Sequence, residues 1–206
     1  MANEAIKAGR LLRSGIPGFA FGCRITEDSS PAFGALVRVP LADNIQIYGL
    51  VHDIHVDDDG LVRQLVTAEQ VDEEVIQDNR LNRNVPMEIS VISVGYSQGD
   101  AVRHLLPPRP PLSLDSIYEC TDDEIFRFTT AGHFGYFRHI LRNQDLPVSE
   151  IFAAHIQQAQ AVHAKLGSDN WANQAARELI TLLRDDYEVL MEVLSAMSDA
   201  LPENIL

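Results

Sequence analysis

Residues 33–56, FGALVRVPLADNIQIYGLVHDIHV, read as two β-strands joined by a polar turn. Residues 33–39 make the first strand, and Pro40 ends it because proline has no amide hydrogen for a central ladder. Ala42-Asp43-Asn44 supplies the turn, since Asp and Asn tolerate left-handed backbone and bond their own main chain. The second strand covers residues 45–56 and contains Gly49, where a strand that curves into a barrel can bend or bulge.

Outward from this pair, residues 19–25 (FAFGCRI) place Phe19, Phe21, Cys23 and Ile25 on one face at period two and predict a strand. Residues 87–96 (MEISVISVGY) alternate likewise. Met87, Ile89, Val91, Ser93 and Gly95 share one face, and Glu88, Ser90, Ile92, Val94 and Tyr96 the other. Between these strands, residues 61–68 read as a strand or a short helix. Residues 71–82 read as a helix with Asp72, Glu73 and Glu74 in its first turn and Arg80 and Arg83 at its end, complementing the helix dipole. Residues 57–60 (DDDG) form a turn. Ile6, Leu11 and Leu12 have loose helical spacing before Gly15 and Pro17, so residues 1–16 are expected to be a short amphipathic or frayed leader. Residues 106–112 (LPPRPPL) carry four prolines and favour an extended strap, with groove recognition by a partner as the second reading. A last strand or extended piece is expected over 114–120.

The texture then becomes helical. Thr121 precedes Asp122, Asp123 and Glu124 as a helix cap. Gly132 and Gly135 interrupt, a short helix follows through Tyr136 and Ile140, and Asn143 and Pro147 end it. Ser149 is expected to cap a helix over 150–166 that stops at Gly167. Residues 170–201 keep mostly helical apolar spacing and predict one helix about 48 Å long at ~1.5 Å per residue. The chain is therefore expected to be α+β: a small β-barrel domain with an inserted helix over residues 1–118, then an α-helical domain over 119–206.

Sixteen Lys and Arg stand against 30 Asp and Glu, a net charge of −14. Phosphate-backbone binding calls for a basic stripe, so direct binding of nucleic acid is disfavoured. No apolar run reaches the ~20 residues of a membrane span, and the first fifteen residues lack the apolar core of a signal peptide. A cytoplasmic protein is expected. Cys23 and Cys120 form neither a disulfide framework nor a zinc quartet and are expected to be buried thiols.

The strand and glycine pattern of Phe33-Gly34-Ala35-Leu36-Val37-Arg38-Val39 and Ile47-Tyr48-Gly49-Leu50-Val51, with Pro107-Pro108-Arg109-Pro110-Pro111 ahead of an extended segment, resembles the HAS barrel. That domain precedes the motor of HerA-type DNA translocases, and the likeness covers about residues 15–118. The resemblance implies a barrel used for ring assembly or docking. The phosphate-binding loop that follows it in that family is missing here, since no Gly-Lys-Ser or Gly-Lys-Thr occurs in the chain, so ATPase activity does not carry over.

Candidate chemistry is sparse. His52-Asp53-Ile54-His55 lies beside an acidic turn, and Asp53, His55 and Asp57 share one strand face as a possible metal site; His52 and His55 could meet one ion only across a bulge. Residues 57–60 lack the ligand spacing of an EF-hand. His155 and His163 fall on one helix without the Glu-x-x-His pattern of a bundle metal site and read as solvent-facing or interhelical residues. Residues 132–139 (GHFGYFRH) read first as a helix junction filled by rings, and second as a docking surface through Phe134, Tyr136 and Phe137, with Arg109 on the strap as a further contact. No serine or cysteine sits in a nucleophile signature. The expected function is a non-enzymatic adaptor without cofactor, whose protein partner is a P-loop ATPase of the HerA type and whose C-terminal helix offers a homo-oligomer contact. The alternatives are a metal-dependent enzyme using Asp53, His55 and Asp57, and an acidic mimic of nucleic acid.

Overall fold

The computed structural model describes residues 6–23, 30–56, 60–68, 71–81, 86–143 and 145–202. Residues 57–59, with Asp57, and the ends of two expected elements (Ile25 and Arg83) lie outside them. The fold is α+β, a closed antiparallel barrel of six strands followed by helices.

The barrel strands are β1 (Lys7–Ser14), β2 (Gly18–Cys23), β3 (Leu36–Pro40), β4 (Ile45–Val56), β5 (Met87–Gln98) and β7 (Ser116–Glu119); β6 (Ala101–Arg103) only extends the far end of β5. Neighbours run β2-β1-β7-β3-β4-β5, and β2 pairs with β5 to close the ring. Closure gives each of the six strands a paired neighbour on both sides along part of its length. The long strand β5 is shared along its length: Met87–Ile92 pair with β2, while Tyr96–Gln98 pair with β6.

The hairpin of β3 and β4 forms as its sequence requires. Asp43 and Asn44 both take positive φ, 62° and 57°, the geometry that matches the twist of a two-residue hairpin turn. Pro40 pairs only at the strand end, opposite Gln46. The register with β5 shifts at Gly49. The alternation of β2 and β5 also holds: Phe19, Phe21, Cys23, Met87, Ile89 and Val91 point into the barrel with Leu11, Val37, Ile47 and Ile117. A six-stranded barrel is narrow enough for such side chains to fill it completely.

Residues 7–14 are a strand, where a frayed or helical leader was expected. The physical reason is two register shifts, between Lys7 and Gly9 against β7 and between Leu11 and Arg13 against β2. They turn Ala8 and Leu11 to the same buried interior and leave Ile6 and Leu12 exposed, so the loose spacing of Ile6, Leu11 and Leu12 marks no helical face. Residues 61–68, left open between strand and helix, contain the short helix α1 (Leu61–Thr67); α2 (Glu73–Leu81) follows it, and both are inserted between β4 and β5.

Helices α3 (Asp122–Thr130), α4 (Phe137–Leu141), α5 (Val148–Lys165), α6 (Trp171–Leu182) and α7 (Tyr187–Ala200) cover the outer face of β3, β4 and β5. Leu36, Tyr48, Leu50, Ile92 and Val94 of the barrel join Phe128, Tyr136, Phe137, Phe152, Ile156 and Leu179 of the helices in one apolar cluster. Thr121 and Glu124 form a reciprocal capping box at the start of α3. Ser149 is not a cap; the helix begins at Val148, two residues earlier than expected, after Pro147 and without a side-chain cap bond. Gly167 takes φ 83° after α5, as a C-terminal glycine should.

The single long helix expected over 170–201 is two. It breaks at Leu183–Asp186, where Asp186 accepts a hydrogen bond from the Val189 amide and starts α7. The polar run Arg184-Asp185-Asp186 supplies that cap, and the break lets α7 fold back on α5 and bury Val193 and Met197. Among the described residues no helix is long and apolar enough to cross a membrane.

Candidate functional site

Three features rise above scaffold: a histidine-rich junction, a concave track beside it, and the proline strap. The junction holds the helices on the barrel. Gly34 takes φ 79°, and a Cβ there would strike the backbone of α5 at His155, so the loop before β3 approaches that helix as only glycine allows. The His155 ring bridges the two units. Its Nδ1 donates to the Gly34 carbonyl at 3.3 Å, and its Nε2 accepts from the Tyr136 hydroxyl at 2.9 Å. Burial lowers its pKa from 6.5 to about 4 and raises that of Tyr136, so both stay neutral. His163 meets the Thr129 hydroxyl at 2.8 Å and stacks on Trp171, and burial likewise lowers it to about 4. His104 packs against Phe128, Tyr136 and Gly132, whose φ of 59° and missing side chain leave room for the ring. Its carbonyl accepts from Arg138 and His139.

Residues 132–139 thus form a ring-filled helix junction. Tyr136 and Phe137 are fully buried, and Phe134 is half-buried against Phe137 and Trp171; burial against the barrel leaves Tyr136 and Phe137 no face for a partner. His155 and His163 are interhelical residues rather than solvent-facing ones. A polar tether completes the junction. Glu124, already in the capping box, binds Arg38 of β3 at 2.8 Å and Gln46 of β4 at 3.1 Å, while Arg127 donates to the Tyr48 hydroxyl.

The track begins at the second bulge of β4. Val51 pairs with Val91 and Asp53 with Ser90, leaving His52 as the extra residue, half-buried and held neutral by desolvation. His52 lines a cleft of about 360 Å³ with Arg13, Ser14, Ser90 and Asn143, beside the Arg13–Glu88 ion pair. Asn143 is shared with a second cavity of about 390 Å³ between the α4–α5 connection and α7, and Ser149 and Glu192 are shared with a third of about 620 Å³. The sequence signal for the cleft was the histidine-rich end of β4. The cavities beyond it arise from helix packing and had none.

The bulge at His52 supplies the irregularity that a shared face of His52 and His55 requires. Asp53 and His55 are exposed at the strand end, and Asp57 lies outside the described residues. Among the described residues no group of three or more His, Cys, Asp or Glu is placed to hold a metal ion. Cys23 is buried and Cys120 half-buried; desolvation raises both thiols, Cys120 well above its ordinary value, which suppresses the reactive thiolate.

The strap runs from β6 to β7. Arg109 reaches back to the β3–β4 turn, donating to the Asp43 carboxylate at 3.2 Å and the Ala42 carbonyl at 3.4 Å. The Ser14 hydroxyl donates to the Pro111 carbonyl. Leu105, Leu106, Leu112 and Leu114 remain exposed. Compared with models of known protein families, the chain matches none, and no curated protein matches it significantly.

Proposed function

We propose that this protein is a non-enzymatic assembly factor, an adaptor that docks on a HerA-type DNA-processing ATPase in the cytoplasm. The observation that carries the reading is the strap. Leu112 and Leu114 are 72% and 67% exposed on a segment that hydrogen bonds pin at several points. Large aliphatic side chains held in the open on a fixed backbone are what a docking surface presents. Leu114 also takes φ 71°, a conformation that costs a leucine roughly 1 kcal/mol. Its amide donates to the Leu11 carbonyl, and its own carbonyl accepts from Arg10.

The resemblance to the HAS barrel supplies the class of partner. A closed barrel, helices inserted between β4 and β5, and a proline strap leading into the last strand support it. With no phosphate-binding loop in this chain, the motor belongs to the partner, and the charge of −14 keeps this protein off the DNA itself.

Co-purification from native lysate tests the reading, using the intact chain beside Leu112→Asp/Leu114→Asp, which alters only exposed side chains. The intact chain is expected to recover a HerA-type ATPase in stoichiometric amount and the double variant to lose it. An intact chain that stays monomeric and recovers no ATPase sinks the reading.

A further inference from the structure

The two cavities beside α7 have a charge of their own. One wall follows α7 from its cap: Asp186, Val189, Glu192, Ser195 and Asp199 recur every three or four residues over about 20 Å at ~1.5 Å per residue. The floor is apolar and half-open, with Leu146, Val148 and Val189 each only partly buried. Glu150, Glu192 and Asp199 form the rim. Their side chains have no ion pair or hydrogen bond with another described residue, and among the described residues no lysine or arginine lines the groove.

We propose that this groove receives a basic amphipathic helix of a partner protein, its apolar stripe on Leu146, Val148 and Val189 and its lysines or arginines against Glu150, Glu192 and Asp199. Two adjoining cavities along α7, with partly buried Leu146, Val148 and Val189 in one and Met191 and Ala196 in the other, fit a helix that anchors at every third or fourth residue. The unpaired acidic rim selects a cationic one. A second copy of this chain is the wrong occupant, because it would bring the same excess of carboxylates into contact. The inference rests on the adaptor reading and gives it a second surface, apart from the strap.

The test uses the full chain and a synthetic helical peptide of roughly 14 residues, leucine at i, i+3, i+4 and i+7 with lysine elsewhere, beside a scrambled peptide of the same composition. Fluorescence anisotropy is expected to show the amphipathic peptide binding at least about tenfold tighter than the scrambled one. Glu150→Gln/Glu192→Gln/Asp199→Asn, which alters only exposed side chains, should remove about tenfold of that affinity, and rising salt should weaken what remains. Amide shift changes should fall on residues 146–150 and 186–199. Equal affinity for the two peptides, or shift changes elsewhere, overturns the proposal. So does self-association of the chain that the same three substitutions abolish, since that assigns the groove to a second copy. If the peptide fails while the ATPase is still recovered through the strap, the groove assignment alone falls. If the peptide binds as expected and no ATPase is recovered, the ATPase reading alone falls.

Discussion

Inside the barrel, Leu11, Phe21, Val37, Val39, Ile47, Val51, Ile89 and Ile117 meet from the six strands. Across the wall of β3, β4 and β5, the helical layer buries Phe128, Phe137, Phe152 and Ile156 together with His104, Thr129, His155, Gln160 and His163. Among the described residues the other buried polar residues are Ser93 and Ser97, both on β5. Each of the two cores thus excludes water, but one does it with apolar side chains alternating along strands and the other with rings, among them histidines that burial holds neutral. The difference teaches where conditions can act on the molecule. The barrel interior has almost nothing for a proton to change, whereas the junction has four histidines lowered by burial, His104, His139, His155 and His163.

The largest effect expected from a single substitution is Phe128→Ala. That ring is fully buried between Tyr48, His104 and Tyr136, and its loss should cost about 4 kcal/mol. Hydrogen exchange should show α3 to α7 losing protection while β1, β2 and β7 keep theirs; equal loss in both regions would mean that the two cores open as one unit.

Acid comes next. Unfolded histidines titrate near 6.5, while His155 and His163 in the fold titrate at about 4, so between these values the unfolded chain binds protons that the folded chain refuses. Stability is therefore complete above pH 6.5 and declines as pH falls toward 4, on the order of 3 kcal/mol for each histidine. Thermal unfolding followed from pH 7.5 to 4.5 should show this slope. His155→Gln/His163→Gln should start lower and run flatter, and an unchanged slope would remove the histidines as its cause.

Smaller again is Glu124→Ala, which removes the capping box and the Arg38 ion pair together; about 2 kcal/mol should be lost in denaturant unfolding. On the barrel side, Asn44→Gly should raise stability by about 0.5 kcal/mol, because glycine meets φ 57° in the hairpin turn without strain. A loss at that position would show that the Asn44 side chain contributes more than its backbone.

Period-two alternation made β2 and β5 legible, because one face of each strand meets only the barrel interior. The Thr121 cap and the Gly167 stop were legible for a local reason: their hydrogen bonds involve residues within a turn or two of the chain. β1 was not, because bulges reset its alternation. The break between α6 and α7 was not, since apolar residues on both sides serve one core and keep a common spacing across the turn. For the candidate sites, the histidine at the end of β4 could be singled out in the chain, but its cleft is completed by Arg13 and Asn143, far away in sequence.

Residue type and neighbours a few positions apart were enough for the class of fold, the hairpin turn at Asp43-Asn44, the start of α3, the acidic charge and the absence of any Gly-Lys-Ser or Gly-Lys-Thr in the chain. Tertiary structure alone decided that Tyr136 and Phe137 face inward, that His155 and His163 stay neutral, and that α7 doubles back to shape a groove. Each of those outcomes depends on desolvation or contact between residues distant in the chain, and the same side chains left in water would have neither.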